Sequence, residues 1–362
     1  MTKRILSLEP FVAGVTGALA AGGSPQSLVD HWREQQPAGA VAVALVGRAG
    51  PEFFFAGAQS QDDTNPPTAD TFFEIGSITK GFTGLLLADQ VLAGRVRPAD
   101  TLAQRLTDWP ERTNSPAAGV TLLQLATHHA GLPRLPANMD AAWLARYGSD
   151  PYARYDVARL YHWLADAKPE VDPDGHAAFL YSNAGFAILG HALAVAADEP
   201  YETLLRRRVL RPLGLTNTIF RLSAPQRARL APGHHGAQAV PNWDFQVFAS
   251  AGGLRSTPRD MARFVAAMAG VGENPLRHAS ALATSEQAPE TGQATIGFGW
   301  LRTPRRPGLL IWHNGGTGGY RSFVGWYPEH HISVVVLASI DESVDKLGTD
   351  LLDTLLPAAP GQ

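Results

Sequence analysis

The chain has 362 residues, of which 45% are hydrophobic and 17% charged, values typical of a globular protein with one large or two closely joined domains. Its net charge of −3 gives no electrostatic basis for binding nucleic acid or an anionic membrane. It contains no cysteine, which excludes disulfides, thiol nucleophiles and cysteine-ligated metal centres.

The N-terminal residues have only a weak resemblance to a targeting signal. Lys3 and Arg4 precede a weakly apolar region that Glu9 and Pro10 interrupt, a break that the hydrophobic core of a signal peptide does not favour. We therefore predict an amphipathic N-terminal helix and a cytoplasmic protein, with an export signal and an exported or periplasmic protein as the alternative. No apolar run in the sequence reaches the length of a membrane-spanning helix.

The first part of the chain combines strand and helix patterns. Two β-rich runs around a glycine-containing turn predict a hairpin, and an apolar pattern after Ser77 predicts a helix. The predicted elements are, in order, a helix over residues 27–35, strands over residues 40–46 and 52–57, a loop over residues 62–67 and a helix from Ser77 through Val91.

Helical spacing dominates the middle of the chain. Thr257 and Pro258 are typical of an N-cap and a first helical residue, so they predict the start of a helix. The predicted helices of this region cover residues 121–127, 153–165, 184–196, 201–209 and 258–267.

The C-terminal part changes to β-like runs with tight connections, which imply antiparallel neighbours. The predicted elements are strands over residues 295–301, 309–312, 320–327 and 332–338 and a closing amphipathic helix over residues 343–356. Strands at both ends and helices between them predict an α/β (α+β) fold. In this fold one antiparallel sheet is built from both termini and flanked by helices, with an inserted mainly helical region.

The domain organisation follows from this distribution of elements. We assign residues 1–84 and 271–362 to a discontinuous sheet domain and residues 85–270 to a mainly helical domain. We expect the active site between the two domains.

A serine and a lysine three residues apart, Ser77 and Lys80, would share one face of a helix. A serine hydroxyl needs an adjacent base to become a good nucleophile, and a lysine is such a base only when its amine is neutral. The apolar neighbours supply the desolvation that a neutral amine requires, and Gly76 suits a close approach of backbone to substrate. The pattern also arises by chance, in which case Lys80 is an ordinary surface lysine.

Tyr181 and Asn183 precede a strongly apolar helix. A tyrosine beside a catalytic lysine can carry a proton, because a positive neighbour lowers its pKa. An asparagine offers both a donor and an acceptor, which suit the orientation of a substrate amide or of the lysine. The alternative is a core tyrosine followed by an asparagine that caps the helix.

His313 lies at the end of a predicted strand, followed by four glycines within five positions, at residues 315, 316, 318 and 319. So many glycines are unfavourable unless the backbone must approach another group closely. Bare N–H groups on a strand are natural partners for an oxyanion, and His313 can donate to a substrate or tune nearby protons. The alternative is a glycine-rich turn with a surface histidine. Residues 125–133 are interpreted as a loop that supports the site without chemistry.

Together these stretches resemble the serine β-lactamase and penicillin-binding-protein superfamily, closest to the class C β-lactamases and to the esterases of the same fold, the family VIII carboxylesterases. That superfamily carries S-x-x-K, then Y-x-N, then K-T-G or H-x-G. Here the three motifs start at Ser77, Tyr181 and His313, in the same order. Flanking runs at residues 37–43, 122–133, 253–261 and 323–328 are similar as well.

The resemblance implies a role for each motif residue. Ser77 attacks a carbonyl carbon and becomes acylated, while Lys80 and Tyr181 share the general-base and proton-return roles. Asn183 orients the acyl group and Lys80, and the backbone N–H groups of Ser77 and Gly316 form the oxyanion hole. The further substrate-binding residues that it implies are His313, Asn314, Gly315 and Arg134. No cofactor or metal is implied, and the expected partner is a small-molecule ester or amide.

The third motif departs from the pattern of β-lactamases and cell-wall peptidases, which usually keep a lysine there to bind the substrate carboxylate. His313 is mostly neutral at pH 7 if its pKa is unperturbed, which weakens the case for an anionic substrate. Arg134, Arg255 and Arg321 remain as other sources of positive charge. We therefore predict a carboxylesterase, with a β-lactamase, a D-amino-acid peptidase or amidase, or an acyltransferase as alternatives.

Other functional classes have weaker support. A non-catalytic sensor of the same fold would not require the three intact motifs. An α/β-hydrolase is excluded because no serine lies in G-x-S-x-G, and no phosphate-binding loop indicates a nucleotide cofactor. A metal hydrolase is suggested only by histidine pairs outside any known ligand spacing, at residues 128–129, 234–235 and 330–331. The oligomeric state is left open.

Overall fold

Strands from both ends of the chain form one sheet in the computed structural model, which describes residues 24–58 and 65–356. The predicted N-terminal helix and residues 62–64 of the loop over residues 62–67 lie outside the described residues. The strands are, in chain order, β1 Ala40–Gly47, β2 Gly50–Gly57, β3 Phe73–Glu74, β4 His234–His235, β5 Gln238–Ala239, β6 Arg255–Ser256, β7 Ala288–Pro289, β8 Thr295–Ile296, β9 Leu301–Arg305, β10 Gly308–Gly316, β11 Arg321–Tyr327 and β12 Ile332–Ala338.

The large sheet has eight strands in the order β2-β1-β12-β11-β10-β9-β8-β7, and all its neighbouring strands are antiparallel. The two ends of the chain meet where β1 pairs with β12, with Val43 opposite Val336. The predicted α/β fold, with an antiparallel sheet built from both termini, is confirmed.

One predicted strand is wrong in detail. Residues 295–301 form two short strands, β8 and β9, because the chain turns between them and the Gly297 N–H donates to the Trp300 carbonyl at 2.8 Å. The next predicted strand, over residues 309–312, is too short. β10 continues to Gly316 because its pairing with β11 extends to Arg321.

The other regular elements of the described chain are helices, together with short 3-10 turns at Gly76–Ile78 and Gln246–Phe248 and a π turn at Arg206–Leu210. The helices are α1 Pro25–Glu34, α2 Thr79–Leu92, α3 Leu102–Arg105, α4 Leu122–Ala126, α5 Ala141–Tyr147, α6 Val157–Asp166, α7 Asn183–Ala197, α8 Tyr201–Leu205, α9 Ala224–Arg227, α10 Ala249–Gly252, α11 Pro258–Met268, α12 Arg277–Thr284 and α13 Asp345–Thr354.

Side-chain caps set the starts of several helices. Thr257 accepts a hydrogen bond from the Asp260 N–H at 3.3 Å, as predicted for the start of α11. The helix predicted over residues 153–165 begins later, because Asp156 accepts from the Arg159 N–H at 3.0 Å and thereby caps α6. None of the helices among the described residues is long and apolar enough to cross a bilayer.

Helices cover both faces of the sheet, so β1 and β12 are almost continuously hydrophobic. α1 and α13 pack on one face, where Val29 and Leu351 join Val43 in one apolar cluster. α11 packs on the other face beside α2, where Phe82 and Phe264 stack with ring centroids 3.7 Å apart. α11 thus contacts the sheet although it lies in the segment assigned to the helical domain. The division into domains itself stays a prediction.

The stacked pair between α2 and α11 gives a stability prediction. Replacing Phe82 with alanine removes a fully buried ring and leaves a cavity against Phe264. The expected loss is about 3–5 kcal/mol of unfolding free energy. Chemical denaturation followed by circular dichroism measures it. Leu92→Ala at the exposed end of the same helix is the control and should change stability by less than about 0.5 kcal/mol. Similar losses in both variants would contradict the buried stacking of Phe82 on Phe264.

Candidate active site

Ser77 lies in the 3-10 turn Gly76–Ile78, directly before α2. The turn packs against β10, and a Cβ atom at Gly76 would lie 2.5 Å from the Gly316 nitrogen. Gly76 also has a φ of +53°, a backbone conformation that other residues rarely adopt. Glycine is therefore required here both by its conformation and by the close approach of β10 to the serine.

The amine of Lys80 is buried one helical turn after Ser77. Its Nζ lies 3.0 Å from the Ser77 Oγ and donates to the Ala251 carbonyl at 2.7 Å. Burial, with the nearby charge of Arg134, holds the pKa of Lys80 well below its usual range. The desolvated amine expected from the apolar sequence is present, and its direct partner is the serine hydroxyl.

Tyr181 approaches the same serine from the segment before α7. Its buried side chain is hydrogen-bonded to Ser77, and the Lys80 Nζ lies 4.9 Å from the centre of its ring. Burial raises the pKa of Tyr181, although the Arg134 charge and the bond to Ser77 act in the opposite direction. The expected lowering by a positive neighbour is present and comes from Arg134, but the net pKa is raised because the desolvation of a buried phenolate outweighs it.

Asn183 is the first residue of α7 and lines the space in front of Ser77. Its amide nitrogen donates to the Tyr152 hydroxyl at 3.3 Å, and its Oδ1 is buried without a partner among the described residues. The side chain that caps α7 is that of Ser182. In this structure Lys80 is held by the Ala251 carbonyl and not by Asn183.

The third motif places successive side chains on opposite faces of β10. His313 is buried on the side of Tyr181, with ring centroids 6.2 Å apart, and a Cβ atom at Gly315 would lie 2.9 Å from the Ser77 nitrogen. Asn314 points the other way and donates to Asp345 at 2.7 Å. The prediction that Asn314 binds substrate is wrong, because strand alternation turns it toward α13.

The N–H of Gly316 is directed away from β11. Thr317 donates to the Tyr320 carbonyl at 3.1 Å, so the preceding pair, Gly316 and Arg321, is a non-hydrogen-bonded pair of the ladder. On the other side β9 pairs with β10 only as far as Trp312. The Gly316 N–H thus faces the turn that holds Ser77, where both residues line the same small chamber.

Two of the three arginines considered from the sequence are already engaged in structural contacts. Arg255 donates to Glu74 and to the Trp243 carbonyl, both at 2.8 Å. Arg321 donates to two main-chain carbonyls beside β10. Arg134 lies over the Tyr181 ring, with its guanidinium carbon 4.9 Å from the ring centre. Of the three arginines, it is the one that contacts Tyr181.

The chamber in front of Ser77 has a volume of about 10 Å³, enough for about one water molecule. Its aromatic walls were not identified from the sequence as individual residues, although three of them fall in a segment, residues 234–250, that is rich in aromatic side chains. These walls are Tyr152, Trp243, Phe245 and Phe248. A second cavity of about 430 Å³ shares Trp243 and Phe245, which therefore form the wall between the two.

The charge state of the third-motif histidine follows from its burial. Burial lowers the pKa of His313 to about 3, while the Asn314 carbonyl acts in the opposite direction. His313 is therefore neutral at pH 7. Within the described residues, no group of three or more histidine or acidic side chains has the arrangement of a metal site.

Comparison with known proteins adds to this geometry. The family model described as Beta-lactamase matches residues 26–356. The chain is 28% identical over 367 residues to the beta-lactamase of Escherichia coli K12, covering 90% of this chain and 92% of that protein. It is also 28% identical over 326 residues to the D-alanyl-D-alanine-carboxypeptidase/endopeptidase AmpH of the same organism, covering 83% and 80%.

Solved structures share the fold. A beta-lactamase/D-alanine carboxypeptidase from Pseudomonas syringae superposes with a TM-score of 0.80 at 20% identity, covering 93% of this chain and 98% of that one. A class C beta lactamase from Rhodobacter sphaeroides gives a TM-score of 0.78 at 24% identity, covering 91% and 98%. At these identities the superpositions establish the architecture and not the reaction.

The buried neutral histidine predicts how stability depends on pH. The pKa of His313 falls from 6.5 to about 3 on folding, so below pH 6.5 the unfolded chain binds a proton that the folded chain does not. His313 should not reduce the free energy of unfolding above pH 6.5. Between pH 6.5 and pH 3 it should reduce that free energy as the pH falls, with a slope of about 1.4 kcal/mol per pH unit. Unfolding measured from about pH 7.5 to about pH 4.5 tests this. His313→Asn should show a shallower decrease, and an unchanged slope would contradict the assignment.

Proposed function

This chain belongs to the beta-lactamase family, and from that premise we propose that it is a serine hydrolase, specifically a carboxylesterase, that works through an acyl-serine intermediate. The nucleophile is Ser77, and its contact with the desolvated amine of Lys80 is the observation that supports catalysis. A neutral amine 3.0 Å from a hydroxyl can accept its proton, which an ordinary charged lysine cannot do.

In the first half of the proposed reaction the Ser77 oxygen attacks the ester carbonyl carbon, and its proton passes to Lys80. The N–H bonds of Lys80 keep the amine oriented, because one of them donates to the Ala251 carbonyl. Tyr181 stays a neutral phenol, since its pKa is raised, and it relays the proton to the departing alkoxide. The C–O bond to the alcohol breaks, which leaves the acyl group on Ser77.

The negative charge that develops on the carbonyl oxygen requires donors that are already in place. The backbone N–H groups of Ser77 and Gly316 have this role in the proposal, since the Gly316 N–H is free of the sheet and faces the serine. One such donor contributes about 10²–10³ in rate. A water molecule then attacks the acyl carbon, the same base takes its proton, and the carboxylic acid leaves as Ser77 regains its hydrogen.

The preference for an ester over a β-lactam rests on charge. His313, in the position where β-lactamases usually have a lysine, has a pKa of about 3 and is neutral at pH 7. Arg255 and Arg321 are engaged by Glu74 and by main-chain carbonyls. Of the four cationic candidates, Arg134 alone is left to receive a substrate carboxylate, whereas an uncharged ester requires no positive charge.

A β-lactamase or D-alanine carboxypeptidase is the second candidate. Proteins with those names are among the relatives that cover most of the chain. Arg134 also lies close to Tyr181 and retains a buried Nε without a partner within the described part of the chain. A guanidinium in that position could receive a substrate carboxylate through a charge-assisted hydrogen bond. Transfer of the acyl group to an acceptor other than water is a variant of the same chemistry.

The rates on two chromogenic substrates distinguish these candidates. We expect kcat/KM for p-nitrophenyl acetate to exceed that for a chromogenic cephalosporin, because His313 is neutral at the position where β-lactamases usually have a lysine. Turnover of the cephalosporin at an equal or higher rate would contradict the esterase proposal. Ser77→Ala should lose about 10⁴-fold or more in activity on either substrate. Labelling by an alkyl p-nitrophenyl phosphonate, located by mass spectrometry, should occur at Ser77 in the wild type and disappear in this variant.

The wall between the two cavities predicts a change in substrate range. Phe245→Ala removes the ring that separates the chamber of about 10 Å³ from the cavity of about 430 Å³. The rate on p-nitrophenyl octanoate relative to the acetate should rise by about tenfold, since the wild-type chamber has no room for the longer acyl chain and the variant opens space beyond it. Phe220→Ala is the matched control, because Phe220 lines only the larger cavity. An unchanged chain-length profile in Phe245→Ala would show that the larger cavity is not reached by the acyl group.

A further inference from the structure

His128 lies in the segment over residues 125–133, which was interpreted as a support of the site without chemistry. It is only 1% exposed and adopts a φ of +61°, which is uncommon for a residue other than glycine. A fully buried histidine in a left-handed conformation is retained only where the surrounding contacts compensate for the strain. Those contacts lie on both sides of Tyr181.

Two hydrogen bonds join His128 to the residues that flank Tyr181 in the chain. The Leu180 N–H donates to the His128 carbonyl at 2.8 Å, and the Ser182 N–H donates to the His128 Nδ1 at 3.0 Å. The Ser182 hydroxyl also donates to the Pro133 carbonyl at 2.7 Å. Residues 128–133 thus hold the backbone immediately before and after the tyrosine.

The imidazole ring also contacts the tyrosine side chain. The ring centroids of His128 and Tyr181 are 4.4 Å apart, with 35° between their planes. Phe186 lies against the same imidazole with centroids 5.0 Å apart. Tyr181 is therefore restrained both through the backbone on either side of it and through its ring, while its hydroxyl is hydrogen-bonded to Ser77.

The hydrogen bond from Ser182 fixes the tautomer of the histidine. Because Nδ1 accepts a hydrogen bond from a backbone N–H, the neutral ring carries its own hydrogen on Nε2. Burial holds the pKa of His128 well below its usual range, and the charge of Arg134 acts in the same direction. The ring can therefore keep Nδ1 as an acceptor at neutral pH, whereas a protonated ring would lose this bond.

We propose that His128 is a positioning residue for the reaction. It holds the Tyr181 hydroxyl at Ser77 by accepting hydrogen bonds from the backbone N–H groups on either side of Tyr181 and by contacting the tyrosine ring. The inference rests on the proposed function, because His128 does not touch the substrate and acts only through Tyr181. Its loss should lower kcat more than it changes KM, since substrate contacts are not removed.

A double-mutant cycle with Tyr181 tests this role. His128→Phe keeps a ring but removes the acceptor, and it should lower kcat on p-nitrophenyl acetate by about tenfold to a hundredfold, with KM changed by less than about threefold. In a Tyr181→Phe background the same substitution should change kcat by less than about twofold, because the group that it positions is already absent. His129→Phe is the matched control, since the His129 Nδ1 bonds the Thr127 carbonyl, and it should stay close to wild type.

Equal losses in both backgrounds would overturn the proposal and leave His128 as a residue of the fold alone. Labelling of Ser77 by the phosphonate in the wild type tests the proposed function separately, so a failure of the proposed function can be distinguished from a failure of the role of His128.

If His128→Phe does not fold, His128→Asn replaces it in the cycle. Asparagine tolerates the left-handed conformation and offers an acceptor, but it lacks the ring that packs on Tyr181. The same difference between the two backgrounds is expected from it.

Discussion

The burial of one amine organises the site. Within residues 24–58 and 65–356 no carboxylate pairs with Lys80, and its hydrogen-bond partners are the Ser77 hydroxyl and the Ala251 carbonyl. A charged ammonium in such surroundings would lose most of its hydration without compensation, so the neutral form is favoured. The neutral histidines, the phenol and the aromatic chamber walls all maintain this condition by excluding water. The same apolar packing that stabilises α2 therefore also determines the protonation states of Lys80, Tyr181 and His313.

The second constraint is steric and concerns the backbone. β10 can approach the 3-10 turn of Ser77 only because Gly76 and Gly315 lack side chains at the points of contact. The approach places the Gly316 N–H beside the serine where the sheet no longer uses it. The proposed donor pair for an oxyanion is available because β10 continues to Gly316, whereas β9 pairs with it only as far as Trp312. No dedicated side chain is needed for it.

The sequence predicted the parts of the site that depend on local patterns. Ser77, Lys80, Tyr181 and His313 stand in short motifs, and the two sheet regions follow from runs of β-branched residues. Ala251 could not be predicted, because any residue offers a carbonyl and the contact joins positions 171 residues apart. The direction of Asn314 was missed because the predicted strand ended too early. Alternation along the full length of β10 would have placed it on the face of α13. The shift of the Tyr181 pKa depended on burial, which a motif does not report.

The pairing of β1 with β12 has a consequence for synthesis of the chain. β12 is the last strand, and until it leaves the ribosome β1 has an unpaired hydrophobic edge and β11 lacks one neighbour. The serine is translated early, yet β10 can be fixed beside it only when this late closure is complete. The nascent protein therefore remains inactive and exposes an aggregation-prone strand edge for most of its translation. Chaperone binding at that edge would act on the same event that completes the active site.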